Sequence, residues 1–507
     1  MSAISAVAPS KKKVARLGVS PSASLELLAE SGVSALRDSG RVYQRGGGLI
    51  RVVRDESKHY GAVFPVDLPH LGEAPKAWLW EMCDTYGTWM VATKNGHKRV
   101  RCPKEVPELV MGRGQWRLPK LEMVIECPSI RPDGSLLQTG GYDEKTATLY
   151  EPLMEFPKVA SKPTEDDVVK ATERICDILS DFPFAHEAAK SVMVAAILTA
   201  VGRTAVEGPT PVFLFDGSTM GVGKGKLCKI IGIITLGKEP GLMTLTDNQE
   251  EQRKTITALA LGGARLVVLD EVKVLTGAAL QAATTTTVWL DRILGVSKMT
   301  PALPLKPTWL ATGNNVAVHD DMRRRVLPCR LVSEMEHPEN RTGFKYEDLD
   351  GEVKKRRGEM VNAALTVLRA YFVAGRPEHG RPLFGTFEAW DRVVRGAVMW
   401  AGFTDPCDAR RDVEAGSFDV TALMGAIVGV LLDLGMHCVK AADIAMKANS
   451  HEPLKEMLRE AGYETKDGWK MRSLGDLIAR MRDRVFGEYR CKVTKPGNVN
   501  QLQLVRL

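Results

Sequence analysis

Residues 211–226, PVFLFDGSTMGVGKGK, constrain the fold of this 507-residue chain more than any other stretch. Residues 212–215 are a short continuous apolar run, which is typical of a parallel strand buried on both faces. Turn-forming residues follow, and Lys224 then precedes a helical pattern. This order is close to the pattern GxxxxGK[ST], in which backbone N–H groups surround phosphate oxygens and the lysine reaches the outer phosphates. We therefore predict an α/β fold with a phosphate-binding loop.

The predicted loop departs from this pattern at two positions. Ser218 stands where the first glycine is expected, although Gly217 beside it can make the same turn. Gly225 stands where a hydroxyl normally binds Mg²⁺, so the metal ion would depend on other ligands. The predicted nucleotide contacts are Gly217, Ser218, Gly221, Gly223, Lys224, Gly225 and Lys226. We predict ATP and Mg²⁺ as cofactors. Gly225 is expected to affect the rate of hydrolysis more than the fold.

Residues 265–271, RLVVLDE, predict a second buried strand that ends in two carboxylates. This is the form of a Walker B motif, in which Asp270 would hold Mg²⁺ and Glu271 would polarise the attacking water. The alternative is a buried strand with a solvated acidic end. The alternating order of strands and helices after the phosphate-binding loop favours the catalytic interpretation.

A third strand is predicted at residues 308–312, TWLAT, directly before a Gly-Asn-Asn turn. Asn314 at the strand end is able to orient water against the γ phosphate, although an ordinary turn explains it too. Further on, Arg323, Arg324 and Arg325 are adjacent. One of them is expected to reach a neighbouring subunit's nucleotide as an arginine finger, and at least one is expected to be only a solvated basic residue.

Residues 213–331 as a whole resemble the superfamily 3 type AAA+ helicase module of phage, plasmid and poxvirus primase-helicases. The likeness rests on LFDGSTMGVGKGKL, VVLDE, VWLDRILGVSKM at residues 288–299, WLATGNN and DDMRRRVLPCRL. It implies a phosphate-binding lysine, a Walker B pair, a sensor asparagine and an arginine finger, which fall on Lys224, on Asp270 and Glu271, on Asn314, and on Arg324 or Arg325.

The same resemblance implies an assembly and a DNA contact. Subunits of such modules form a ring, with a hexamer expected, and act on single-stranded or forked DNA together with a primase or polymerase. The segment between the second and third strands resembles the region that carries a pore hairpin. Lys298 and Lys306 are therefore the expected DNA contacts there.

The sequence as a whole predicts six segments, of which this module is one. Residues 1–40 are expected to be a mobile leader with a short helix, and residues 41–159 a small α+β or mostly β domain. Residues 164–205 are helical, and are interpreted by the resemblance as a collar or, alternatively, as a hairpin packed on the core. The ATPase core is expected at 206–345, a helical lid at 346–410 and a winged-helix-like domain at 417–507.

The C-terminal segment supplies further candidate DNA contacts. Helical patterns at 420–432, 453–461 and 473–486 precede strand patterns at 489–493 and 501–505, the order of a winged helix. Basic residues on the third helix and the hairpin are expected to contact phosphates: Arg480, Arg482, Arg484, Arg490, Lys492 and Lys495. A solvated basic face is the alternative.

Composition narrows the class of protein without deciding it. No apolar run reaches the ~20 residues of a membrane span, and nine scattered cysteines without a CxxC pair fit reduced thiols, so we expect a cytoplasmic protein without membrane contact. A net charge of +7 permits nucleic-acid binding. We predict an ATP-dependent DNA helicase. An ATP-switched origin-binding or loading factor, which Gly225 favours, is the alternative, and a DNA packaging motor is a weaker one.

Overall fold

A computed structural model of the chain describes residues 18–54, 69–246, 248–292, 299–333, 335, 337–412, 420–460, 463–465, 468–482 and 484–507. The first 17 residues of the expected leader and Lys298 lie outside this part. The chain divides into two compact units between residues 410 and 411. Within the described residues, no helix combines the length and the apolar character needed to cross a membrane.

The first unit begins with small sheets and helices that surround a buried core containing Leu36, Leu79 and Trp89. Strands β1 to β3 form an antiparallel sheet, and β10 pairs with β6 in parallel and with β9 in antiparallel orientation. The elements are α1 (Leu25–Ser39), β1 (Tyr43–Arg45), β2 (Gly48–Arg54), β3 (Pro69–Glu73), α2 (Lys76–Tyr86), β4 (Met90–Thr93), β5 (Gly96–Arg99), α3 (Val106–Gly112), β6 (Met123–Ile125), β7 (Ser129–Ile130), β8 (Leu136–Leu137), β9 (Gly141–Asp143) and β10 (Thr148–Tyr150).

Two helices follow, α4 (Glu165–Ile178) and α5 (Glu187–Val201). Helix α4 begins with a capping box, because the Thr164 hydroxyl accepts from the Asp167 N–H and the Asp167 carboxylate accepts from the Thr164 N–H. Helix α5 is apolar on nearly all sides and is buried along most of its length. Such a helix is stable only inside a core, and α5 contacts α6, α10 and β19, whose bounds follow.

A five-stranded parallel sheet forms the centre of the first unit, in the order β12-β13-β17-β11-β19. Its elements and their neighbours are β11 (Val212–Gly217), α6 (Lys224–Leu236), β12 (Leu242–Thr244), α7 (Gln249–Gly262), β13 (Leu266–Asp270), β14 (Val274–Leu275), α8 (Ala278–Ala283), β15 (Val288–Trp289), β16 (Leu303–Pro304), β17 (Thr308–Asn314), β18 (Ala317–Val318) and β19 (Val326–Leu331). The prediction of an α/β fold is confirmed. Because β17 lies between β11 and β13, all three predicted motifs meet at one edge of the sheet.

The remaining helices of the first unit follow from residue 349 onward, and the first two of them pack against helices α4 to α6. They are α9 (Leu349–Lys355), α10 (Arg357–Val373), α11 (Glu388–Trp390) and α12 (Gly396–Trp400), with a π-helical turn at Asp391–Arg395 between the last two. Asp391, Arg395 and Asp405 form a buried ion-pair network there. Paired charges of this kind are costly to break singly, so the network fixes this bend.

The second unit contains a four-stranded antiparallel sheet in the order β20-β25-β24-β23. Its elements are α13 (Val420–Asp433), β20 (Cys438–Lys440), α14 (Ala441–Ala448), α15 (Glu452–Glu460), β21 (Glu464–Thr465), β22 (Gly468–Trp469), α16 (Met471–Arg480), β23 (Val485–Phe486), β24 (Tyr489–Thr494) and β25 (Gln501–Arg506). The expected third helix at 473–486 was too long, because Val485 and Phe486 pair with β24 as a strand. The expected two-stranded hairpin is the middle of a larger sheet.

Candidate nucleotide-binding site

A cleft of about 630 Å³ lies at the carboxyl edge of the parallel sheet. It is lined by the loop before α6, by the residues that end and follow β13, and by the end of β17. Lys224, Asp270, Glu271 and Asn314, predicted from three separate motifs, all line it. Ligands of open parallel sheets bind outside the carboxyl ends of the strands, so this is the expected place for a nucleotide.

The loop from β11 to α6 has the geometry of an anion site. Gly221 and Gly223 have φ angles of 78° and 99°, a region that other residues rarely adopt. A Cβ on Gly221 would also lie 2.9 Å from a carboxylate oxygen of Glu339. Gly223 is the N-cap of the 13-residue helix α6 and has no side chain. It therefore does not cap the first N–H groups of the helix. Uncapped N–H groups at a helix start favour phosphate oxygens.

Lys224 connects the loop to the end of β17. Its Nζ donates to Asn314 Oδ1 at 2.5 Å and to the Thr219 carbonyl oxygen at 3.1 Å. Partial burial lowers the pKa of the Lys224 ammonium, and the carboxylates of Asp216 and Asp270 partly offset this effect. The ammonium therefore lies between the phosphate loop and Asn314, where an outer phosphate of a nucleotide would compete for it.

The acidic pair is positioned by one hydroxyl on the neighbouring strand. Thr312 Oγ1 donates to Asp270 Oδ1 at 2.5 Å and accepts from the Glu271 N–H at 3.2 Å. Glu271 is exposed in the cleft and has a φ of 52°, an uncommon value for a non-glycine residue. Backbone strain of this kind is maintained only by surrounding contacts. Thr312 is thus a positioning residue for the Asp270 carboxylate and for the backbone of Glu271.

Thr312→Val is expected to lower the rate constant of ATP hydrolysis by about 10- to 100-fold, because the Asp270 carboxylate and the Glu271 backbone each lose a bond that orients them. Nucleotide affinity is expected to change little, since Thr312 does not belong to the phosphate loop. Steady-state kinetics separates the two effects.

Thr308→Val is the matched control on the same strand, because Thr308 is buried and its hydroxyl has no hydrogen-bond partner in the part of the chain that the structure describes. Equal losses in both variants would mean that a valine on β17 disturbs packing, and would contradict the positioning role.

A second network fixes the base of the loop. Arg330 on β19 donates to the buried Asp216 carboxylate and, at 2.8 Å, to Asn315 Oδ1. Asn315 in turn donates to the carbonyl oxygens of Gly217 and Ser218 at 3.1 and 3.2 Å. Burial raises the pKa of the Asp216 carboxyl, against the lowering effects of the Val316 N–H, Arg330 and Lys224. These contacts determine where β11 ends and the loop starts.

The other predicted loop residues serve different contacts. Gly217 is buried, and the Ser218 N–H donates to the Leu331 carbonyl oxygen at 3.2 Å. Lys226 Nζ pairs with Asp350 at 3.0 Å, so its side chain is directed to α9 instead of the cleft. Gly225 lines the cleft, and a Cβ added there would meet no heavy atom within 4 Å.

The structure separates the arginine-finger candidates. Arg325 is only 7% exposed, and its guanidinium donates to the Gln281 carbonyl oxygen and to Asp321. Arg323 donates to the Val318 carbonyl oxygen at 3.1 Å. The Arg324 side chain is 60% exposed and forms an ion pair with Asp321 at 3.0 Å. Arg324 is therefore the candidate that a neighbouring nucleotide is able to reach, and Arg325 has a structural role within the subunit.

The predicted DNA contacts differ in exposure and in the elements that carry them. Lys306 follows β16 and pairs with Glu122 at 2.7 Å, so it is engaged inside the subunit. Arg480 ends α16, whereas Arg482 and Arg484 lie beyond the helix that was expected to carry them. Arg490, Lys492 and Lys495 are exposed on the second unit's sheet and its turn.

Three residues of the site were missed from the sequence: Thr312, Asn315 and Arg330. Each is a polar residue within or directly after an otherwise apolar strand. That position is the available signal, because most polar side chains in buried strands have a partner. The partners themselves are not visible in the sequence.

The donor set fits Mg²⁺ and a nucleoside triphosphate. Mg²⁺ in nucleotide sites takes one or two carboxylates, and its other ligands come from phosphates and water. Asp270 supplies an oriented, half-buried carboxylate, and Glu271 follows it in the chain. Gly225 supplies no hydroxyl, so Asp270 is the first protein ligand that the cleft offers.

No protein-family model and no curated protein matches the sequence. Among solved structures, the chain is similar to the apo NrS-1 C-terminal region (305–718), with 12% identity over 94% of this chain and 99% of that one and a TM-score of 0.41. It is also similar to SCCmec type IV Cch, described as an active helicase, with 12% identity over 91% and 92% of the chains and a TM-score of 0.34. The JCV helicase shares 13% identity over 50% of this chain and 73% of that one, with a TM-score of 0.23. Identities and TM-scores this low leave the family and the activity of this chain open.

Proposed function

We propose that this protein hydrolyses ATP with Mg²⁺ and uses the reaction to move along DNA as a helicase. One observation carries the proposal: Lys224, the Asp270–Glu271 pair and Asn314 converge on a single cleft at the carboxyl edge of a parallel sheet. A phosphate-binding lysine, a metal-binding carboxylate, a carboxylate base and a sensor amide are the groups that hydrolysis of a nucleoside triphosphate requires.

The arrangement suggests what each residue does when ATP binds. The N–H groups of the loop and the Lys224 ammonium would bind the β and γ phosphates, and phosphate oxygens would replace Asn314 Oδ1 as the partner of Lys224. The Asn314 amide would then be free to orient water against the γ phosphate. Glu271 would accept a hydrogen bond from that water and polarise it for attack. Asp270 would hold Mg²⁺, which neutralises developing charge on the phosphates.

The cleft favours assembly into a ring, because it lacks an arginine of the kind that stabilises charge during phosphoryl transfer, and a neighbouring subunit is able to supply one. Among the described residues that line it, the cations are Lys224 and Lys273, and none is an arginine. Arg324 lies exposed on the 3₁₀ turn Asp320–Arg325, which precedes β19. We infer that Arg324 of one subunit completes the cleft of the next, as an arginine finger supplied in trans.

The test is displacement of a labelled strand from a forked DNA duplex by the full chain with ATP and Mg²⁺. Displacement that requires ATP and is lost in Glu271→Gln supports the helicase. ATP-dependent oligomerisation with duplex binding but no displacement would favour the loading factor, which Gly225 makes the second candidate. Absence of nucleotide binding would contradict both functions.

Gly225→Ser is expected to raise the rate constant of hydrolysis about three- to tenfold, on the order of 1 kcal/mol in activation free energy. The new hydroxyl occupies open space at the second residue of α6, where it is able to add a ligand for Mg²⁺. Steady-state phosphate release at a series of Mg²⁺ concentrations measures the change.

Gly225→Ala is the control, since it fills the same space without a hydroxyl. An equal rise in both variants, or no rise in Gly225→Ser, would show that the metal ion does not need this ligand.

A further inference from the structure

A second cleft, of about 540 Å³, lies between the N-terminal sheets and the β15–β16 hairpin. Three parts of the chain line it: residues 44–47 at the β1–β2 turn, residues 114–117 with 120–122, and Ala302 and Pro304 at strand β16 of the hairpin. We call it the turn cleft. Its volume is within the range of ligand sites in proteins, and none of the residues that form the nucleotide cleft contributes to it.

The turn cleft carries a surplus of positive charge. Arg45, Arg117 and Lys120 line it, against the single carboxylate of Glu122. That carboxylate already pairs with Lys306 at 2.7 Å. Arg117 and Lys120 are exposed, and neither side chain has an ion pair with any residue in the described ranges. Two cations are therefore available to an anionic ligand, since Glu122, the one carboxylate among the described residues that line the cleft, is engaged by Lys306.

A third cation is built into the wall of the turn cleft. Arg45 is 6% exposed, and its guanidinium donates to the carbonyl oxygens of Glu122, Ala260 and Pro304 at 2.5, 2.7 and 2.7 Å. Its Nε has no hydrogen-bond partner among the described residues. Burial lowers the pKa of Arg45 to about 10, against the raising effect of the nearby Glu122 carboxylate, which leaves it charged at neutral pH. The guanidinium is thus a fixed positive charge whose hydrogen bonds go to carbonyl oxygens and not to a carboxylate.

The backbone around these cations is open. Gly47 and Gly114 have φ angles of 81° and 68°, and a Cβ on either would meet no heavy atom within 4 Å. Glycine at such positions allows a ligand to approach the main chain closely. The side-chain amides of Gln44 and Gln115 also line the turn cleft. Together these features suit an extended, repeating anion better than a compact apolar ligand.

We propose that the turn cleft binds the phosphodiester backbone of single-stranded DNA. Charge complementarity with Arg45, Arg117 and Lys120 favours phosphates. The position of the turn cleft favours the DNA strand on which the enzyme acts. Arg45 bonds both Pro304 of the hairpin and Ala260 near the end of α7, the helix that precedes β13. A strand in the turn cleft thus lies one side chain away from the hairpin and from the helix before the Walker B strand. This inference rests on the proposed function.

The test compares binding of a labelled oligothymidylate by the full native chain and by the double variant Arg117→Glu with Lys120→Glu. The affinity is expected to fall at least about tenfold at low salt. Because each lost phosphate contact on a single strand removes ~0.7 from the slope of log K against log salt concentration, the slope is expected to become shallower by about 1.4. ATP turnover without DNA is expected to stay unchanged.

Lys94→Glu with Lys98→Glu is the matched control, since these exposed lysines of the β4–β5 hairpin give the same change of charge outside the turn cleft. The milder Arg117→Gln with Lys120→Gln tests the same site if charge reversal disturbs folding, and Arg117→Lys with Lys120→Arg is expected to retain binding. Equal losses in the control, or native affinity in the glutamine variant, would overturn the proposal while leaving the helicase intact. A native chain that hydrolyses no ATP and binds no single strand would overturn both.

Discussion

Glu271→Gln is expected to reduce ATP turnover by about 10²- to 10⁴-fold, the contribution of a well-placed general base. The Glu271 carboxylate is exposed in the cleft beside Asp270, and glutamine keeps its size while losing the ability to take a proton. The Glu271 N–H bonds Thr312 through the backbone, so the substitution leaves that contact and the uncommon φ unchanged. Binding of ATP is expected to remain close to that of the native chain.

Phosphate release and the affinity for a fluorescent ATP analogue measure these two quantities. Glu81→Gln, an exposed carboxylate on α2, provides the control for the loss of one negative charge. Turnover of Glu271→Gln within about threefold of native would assign the water-activating role to another residue.

Lys224→Met is expected to weaken nucleotide binding by about 100-fold or more and to abolish turnover. Methionine keeps most of the aliphatic stem but removes the ammonium that reaches Asn314 and Thr219. Loss of a charge-assisted contact in a partly buried site costs on the order of 2–5 kcal/mol. Because Lys224 begins α6 and methionine is a good helix former, the fold is expected to persist.

Lys226→Met is the internal control for this prediction. Lys226 lies two residues along the same helix, but its ammonium pairs with Asp350. Isothermal titration with a non-hydrolysable ATP analogue is expected to show native-like affinity for Lys226→Met. If both variants lost affinity equally, the effect would come from helix α6 as a whole rather than from a phosphate contact of Lys224.

The strands and turns that form the cleft were predictable from local patterns. Mainly apolar runs at residues 212–215, 266–269 and 308–312 are each followed by glycine or carboxylate residues, and each forms a strand of the parallel sheet. Buried parallel strands need continuous apolar sequence, so this signal is strong. The order of the strands was not predictable, since it depends on pairing between distant segments such as Gly217 with Asn314.

The network beneath the cleft was beyond sequence reasoning for the same reason. Asp216 and Arg330 are 114 positions apart, and Thr312 is 42 positions from Asp270. A polar residue in a buried strand favours the existence of a partner, but the register of the sheet decides which residue it is. Spacing alone therefore predicted the residues that line the cleft and not the residues that orient them.

Basic residues were the least predictable part of the site. Lys306 and Arg325 carry the charge expected of DNA and phosphate contacts, yet both are engaged within the subunit, by Glu122 and by Asp321 with the Gln281 carbonyl. Arg117 and Lys120 received no role from the sequence, because nothing local distinguishes them from solvated residues. Whether a cation is free depends on the carboxylates that folding brings near it, which a one-dimensional pattern does not contain.

The most direct measurement is steady-state ATP turnover of the native chain with Mg²⁺, in the absence and presence of single-stranded DNA, with Glu271→Gln beside it. The convergence of Lys224, Asp270, Glu271 and Asn314 predicts turnover that DNA stimulates and that the substitution removes in both conditions. ATP binding without turnover, with or without DNA, would contradict this account of the cleft as the site of a DNA-driven ATP hydrolase.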